Sequence, residues 1–144
     1  MRALLDVNFI IALLDPDHVF HERAHAWWGL NSKRGWASCP LTENGVVRIM
    51  SNPSYSRMTR FTPGDLIARL RQFAAQSDHE FWPDAVSLRD GQVFAADRIH
   101  SSRQLTDIYL LALAVAHQGR LVTFDHGIPL SGVRGAKLAN LCTV

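Results

Sequence analysis

The chain has 144 residues, of which 47% are apolar and 19% charged, with a formal net charge of +2. Those values suit one globular domain spanning residues 1–144, with a core of useful size, and exclude a disordered or collagen-like chain. No run approaches the roughly 20 uninterrupted apolar residues of a membrane span: Asp6, Asn8 and Asp15 break one stretch, and Thr106, Asp107 and His117 break another. The start Met1–Asp6 is too short and too soon charged for a signal peptide. Cys39 and Cys142 sit in apolar context and read as buried free thiols of a cytoplasmic protein.

In chain order, Met1 to Leu5 reads as a short buried strand, and Asn8 to Leu14 as an apolar helix closed by Asp15-Pro16. A second helix is expected over His18 to Leu30, with Phe20, Ala24 and Trp27 on one stripe. Gly35 to Cys39 reads as the second strand. Pro40 is well placed to begin a helix, because its missing N–H costs nothing in the first turn. That helix carries Glu43, Val46, Val47 and Met50 and stops near Asn52-Pro53. Ser54 to Phe61 is a polar loop, and Thr62-Pro63 marks the next helix start, continued by Leu66, Leu70 and Phe73.

Glu80 to Trp82 is a short strand that exits around Ala85-Val86, and Asp90 to Ala96 is expected to be helical. Gln104 to Gln118 is the clearest helix, with Leu105, Ile108, Ala112 and Val115 on its inner stripe. Gly119 ends it. Leu121 to Phe124 is a strand, and Leu141 to Val144 a last edge strand. Strands alternating with helices imply an α/β fold: a three-layer sandwich around a mostly parallel sheet of about four to five strands.

Four acids stand where acids are costly. Asp6 and Asp125 end strands, while Glu43 and Asp107 open helices. In a parallel sheet all four positions fall on the edge beyond the strands' carboxyl ends, where the functional crevice of such folds lies. Each acid alone has a structural explanation as a cap or as a charge favoured by a helix N-terminus. Four together repel unless a cation neutralises them. The only lysines, Lys33 and Lys137, lie far from all four in sequence.

Carboxylate oxygens without cysteine or clustered histidine suit Mg²⁺, with Mn²⁺ as a substitute. Such an ion assists phosphodiester hydrolysis. Asn8, Thr106 and Thr123 are the supporting polar groups nearest the acids.

Thirteen of the fifteen basic residues are arginines. Their planar fork suits phosphate; an arginine-biased soluble surface is the competing explanation. Arg48 stands one turn beyond Glu43, in reach of a phosphate or of a surface ion pair. His18, His21 and His25 share roughly one helical face, more consistent with a packed polar face than with a zinc site. Trp27, Trp28, Trp36 and Trp82 read mainly as core or dimer contacts.

With the acids placed, the chain resembles PIN-domain ribonucleases, and in particular the VapC toxins of bacterial VapBC toxin–antitoxin pairs. The resemblance lies in Leu4-Leu5-Asp6-Val7-Asn8, in Leu41 to Ile49, in Leu105 to Ala114 and in Leu121-Val122-Thr123-Phe124-Asp125. It implies Asp6 and Asp107 as the principal Mg²⁺ ligands, with Glu43 and Asp125 completing the catalytic acidic pocket. It further implies an RNA substrate, a homodimer and a cognate VapB-type antitoxin. Val7 departs from the family pattern, which often has a hydroxyl residue there.

Two other functions compete. A receiver-like or aspartyl-phosphatase phosphotransfer domain also puts acids at strand ends, but needs a lysine near the phosphate. A non-catalytic RNA-binding module is the other; an intact acid set argues against it.

Overall fold

The computed structural model describes all residues, 1–144. Five short strands, β1 (Ala3–Leu5), β2 (Trp36–Ser38), β3 (His79–Phe81), β4 (Arg120–Thr123) and β5 (Leu141–Thr143), form one sheet in the order β3-β2-β1-β4-β5. Every pairing is parallel, with Leu4 against Ala37 on one side and Leu121 on the other. Five α-helices cover the sheet: α1 (Val7–Leu14), α2 (His21–Asn31), α3 (Pro40–Met50), α4 (Pro63–Ala75) and α5 (Leu105–Ala116).

Strand side chains alternate between the faces, which divides the core in two. Ala3, Leu5, Trp36 and Val122 pack with α1 and with Ala24, Val46, Met50 and Leu66. Leu4, Ala37 and Leu121 pack on the other face with α5, Trp82, Phe94, Ile128 and Val133. A parallel sheet buried on both faces reads as a continuous apolar run, as Ala3-Leu4-Leu5 does. The three-layer α/β sandwich anticipated from the sequence is therefore the architecture observed.

Helix α1 is apolar on nearly all sides and is buried from Phe9 to Leu14. Its last carbonyls have no partner within the helix. Side chains of other helices supply them: His21 Nδ1 bonds Ala12 O at 2.7 Å, His25 Nε2 bonds Leu13 O at 3.0 Å, and Arg69 donates to Leu14 O. The histidine face of α2 thus packs polar atoms against a helix end, in agreement with its structural reading. The tryptophans likewise pack with the core: Trp36 and Trp82 are buried, and half-buried Trp28 and Trp27 meet Trp36 and Phe9 edge-on.

One expected element is absent. Asp90 to Ala96 is a set of turns rather than a helix, because Phe94 pairs with Val133 in an isolated antiparallel bridge. Ala95 N–H donates to Gly132 O and Arg134 N–H to Val93 O. This segment is too short for a stable helix by itself, and long-range pairing overrides its local preference. Helix α2 also begins three residues late, at His21, since the His18 ring accepts the Phe20 N–H and holds a turn there.

Candidate functional site

The strand order puts β1 beside β4, so the residues that end them meet at the carboxyl edge of the sheet. Asp6 N–H still donates to Val122 O across the ladder, at 3.0 Å. Its side chain then turns to cap α1, with Oδ1 accepting the Val7 N–H at 2.7 Å. Thr123 Oγ1 donates to Asp6 Oδ2 at 2.8 Å and accepts the Asp125 N–H at 3.0 Å. Asp125 Oδ1 accepts the Gly127 N–H, which steadies the turn after β4. Asp107 stands in the first turn of α5.

These three acids line one cleft of about 260 Å³ together with Val7, Asn8, Thr106 and Thr123. The face of α3 that looks into it carries Leu41, Gly45, Arg48 and Ile49, positions that stack along one side of a helix. Gly45 is needed there, because a Cβ would lie 2.7 Å from Val7 Cγ2. Val7 and Gly45 are complementary: the valine fills the space the glycine leaves.

The electrostatics of the cleft are those of crowded carboxylates. Asp6 is 7% exposed, and its burial pushes its pKa up, offset in part by the bonds from Thr123 and Val7. Asp107 is pushed up to about 7, first by burial, then by the neighbouring carboxyl groups of Asp6 and Asp125. No base relieves this crowding by ion pairing: the salt bridges of the chain are Arg2 with Asp78 and Glu80, and Arg98 with Asp97. No three acids or histidines stand close enough to make a ready ligand cluster. An oxygen-only donor set of two neighbouring carboxylates, short of positive charge, suits a hard divalent ion that keeps several waters.

Glu43 is not part of this cleft. It lies two residues from Gly45, about 200° around the helix, and Glu43 Oε2 accepts a 2.6 Å hydrogen bond from Ser38 Oγ. Ser38 Oγ also meets His79 Nε2 at 2.7 Å. The Glu43 side chain borders a separate groove of about 530 Å³ between α3 and α4, beside Val47, Ile67 and Phe81. The expectation that four acids converge is thus corrected to three: a helix N-terminus brings an acid to the right edge of the sheet, but the helical phase decides which way it points. The Ser38–Glu43–His79 link had no signal in the sequence, because β2–β3 pairing alone joins residues 41 positions apart.

The family model described as "PIN domain" matches residues 3–131. The chain belongs to the PIN-domain family. Within it, the chain is 52% identical to ribonuclease VapC44 of Mycobacterium tuberculosis, covering 100% of both sequences. It is 44% identical to ribonuclease VapC39 of the same organism, over 94% of this chain and 96% of that one. These full-length matches put it among the VapC proteins. The crystal structure of VapBC2 from Rickettsia felis bound to a promoter DNA fragment contains a chain of the same fold, with a TM-score of 0.56 at 15% identity over 100% of this chain and 98% of that one. No helix is long and apolar enough to cross a membrane.

Proposed function

We propose that this protein is a divalent-cation-dependent endoribonuclease, the toxic member of a cytoplasmic toxin–antitoxin pair, acting as a homodimer and restrained by a VapB-type antitoxin. The full-length similarity to ribonucleases named VapC supports the RNA substrate and the antitoxin. The observation that carries the chemistry is the crowding of Asp6, Asp107 and Asp125 in one cleft without an ion-paired base. Asp6 and Asp107, the two more buried of the three, are the residues to hold Mg²⁺ or Mn²⁺. A bound divalent cation supplies charge for the phosphoryl oxygens and lowers the pKa of an attacking water.

The chain's own groups do the rest. Thr123 and the Val7 N–H hold the Asp6 carboxylate in one orientation. Asp125, the most exposed of the three acids, takes the proton of the attacking water. Asn8 and Thr106, both exposed in the cleft wall, orient water or the phosphate. In-line attack by water leaves a 5′-phosphate and a 3′-hydroxyl. Lys33 and Lys137 do not line the cleft, which leaves the phosphotransfer alternative without its lysine.

The test is cleavage of structured RNAs by the purified protein with Mg²⁺ or Mn²⁺, with EDTA, and with Asp6→Asn. Expected are cleavage abolished by EDTA and a rate loss on the order of 10³-fold for Asp6→Asn. Cleavage indifferent to both would sink the metal mechanism. Tight RNA binding with no product would favour the non-catalytic module.

A further inference from the structure

Two acids of the cleft have donors of their own, Asp6 from the Thr123 hydroxyl and the Val7 N–H and Asp125 from the Gly127 N–H, while Asp107 is crowded by Asp6 and Asp125. Arg48 is the one basic residue in the cleft wall. It projects from the last turn of α3, is exposed, and takes part in none of the chain's ion pairs or side-chain hydrogen bonds. It is therefore not the counter-ion that holds the carboxylates together. An arginine kept free on the wall of an acidic cleft is placed for an anion that arrives from solution.

The charge balance points the same way. Three carboxylates repel a polyanionic RNA backbone, and a cation at Asp6 and Asp107 offsets only part of that. A fixed positive charge on the wall formed by α3 draws the phosphate in from the side that the acids leave open. A guanidinium offers two parallel N–H donors, matched to the two non-bridging oxygens of a phosphodiester.

We propose that Arg48 is a catalytic residue of this cleft, binding the scissile phosphodiester of RNA through its guanidinium on the side opposite the carboxylates. The assignment rests on the nuclease reading above and adds to it the group that recognises the reacting phosphate.

The experiment compares the parent protein with Arg48→Gln and Arg48→Lys. Exposed Arg48 is replaceable without loss of folding, checked by thermal melting. Single-turnover cleavage of an RNA in Mg²⁺ should fall by about 10²-fold for Arg48→Gln, with Arg48→Lys recovering part of it. Binding of a labelled single-stranded RNA in Ca²⁺, measured across salt concentrations, should lose about 0.7 from its log–log salt slope in Arg48→Gln, the value of one phosphate contact. Arg48→Lys should keep that slope. Mn²⁺ affinity should not weaken in either variant.

An unchanged salt slope overturns the proposal, whatever happens to the rate. A weaker Mn²⁺ affinity with the slope intact overturns it too, and makes Arg48 a support of the acids. A parent protein that cleaves no RNA defeats the nuclease reading instead, and the slope then still decides whether Arg48 meets a phosphate.

Discussion

Thr123 Oγ1 and Asp6 Oδ2 are joined by a 2.8 Å hydrogen bond between residues 117 positions apart. The same hydroxyl accepts the Asp125 N–H, so one threonine sets the orientation of one acid and the backbone position of another. Thr123 is fully buried. It sits at the end of β4, directly behind the cleft.

Thr123→Val keeps the shape and removes the hydroxyl. A carboxylate loses a donor and a backbone N–H loses its acceptor, at a cost of about 1–3 kcal/mol. Urea denaturation should register that loss. Without its donor the Asp6 carboxylate is less stabilised, so its pKa rises further and the acid limb of the pH–rate profile moves to higher pH. An unmoved acid limb would mean that Thr123 does not tune the site.

The raised pKa of Asp107 sets a pH dependence of stability. Its carboxyl titrates at about 7 when folded, against an ordinary value of 3.8. Over that window the folded state holds a proton that the unfolded chain has released, so stability falls as pH rises, and the loss is complete above the folded pKa. Metal-free protein should be less stable at pH 8 than at pH 5, and Asp107→Asn should flatten that slope. A divalent cation at about 100 times its Kd should restore about 2.7 kcal/mol at pH 8, and less at pH 5, where protons compete for the same oxygens. Denaturation in EDTA and in Mn²⁺ at both pH values measures all of this.

The orientation of Glu43 predicts unequal substitutions. Asp107→Asn should cost cleavage about 10³-fold, whereas Glu43→Gln should stay within about ten-fold, since it alters a bond to Ser38 rather than the cleft. Equal losses in a single-turnover assay would return Glu43 to the catalytic set.

The contact between Gly45 and Val7 predicts a compensating pair. Gly45→Ala puts a methyl group 2.7 Å from Val7 Cγ2. Overpacking costs about 1–3 kcal/mol, against about 1 kcal/mol gained from helix propensity. Net destabilisation and a displaced Asp6 loop are expected, and Val7→Ala should relieve both. A double-mutant cycle by urea denaturation, followed with cleavage rates, tests the coupling; additivity would show that the two side chains do not meet.

Much of the fold was legible because its signals are local. The apolar run Leu4-Leu5 before Asp6, the proline at the start of α3 and the dense apolar stripe of α5 each state their own secondary structure, and their alternation implies a parallel sheet. Asp90 to Ala96 is the opposite case: its structure is decided by the bridge from Phe94 to Val133, which no window of sequence around Asp90 contains. The spacing of His21 and His25 marks a shared face of α2, but their partners, the end carbonyls of α1, are set by helix packing that no local pattern contains.

The residue types and the order of the strand-ending acids were enough by themselves to place Asp6, Asp107 and Asp125 at one edge, because a parallel sheet ends all its strands on the same side and α5 starts there. Only the tertiary structure decided that Glu43 turns away and Arg48 turns in. Both lie on one helix, and which of its faces meets the cleft follows from how Gly45 docks against Val7, a contact between elements that neither segment encodes alone.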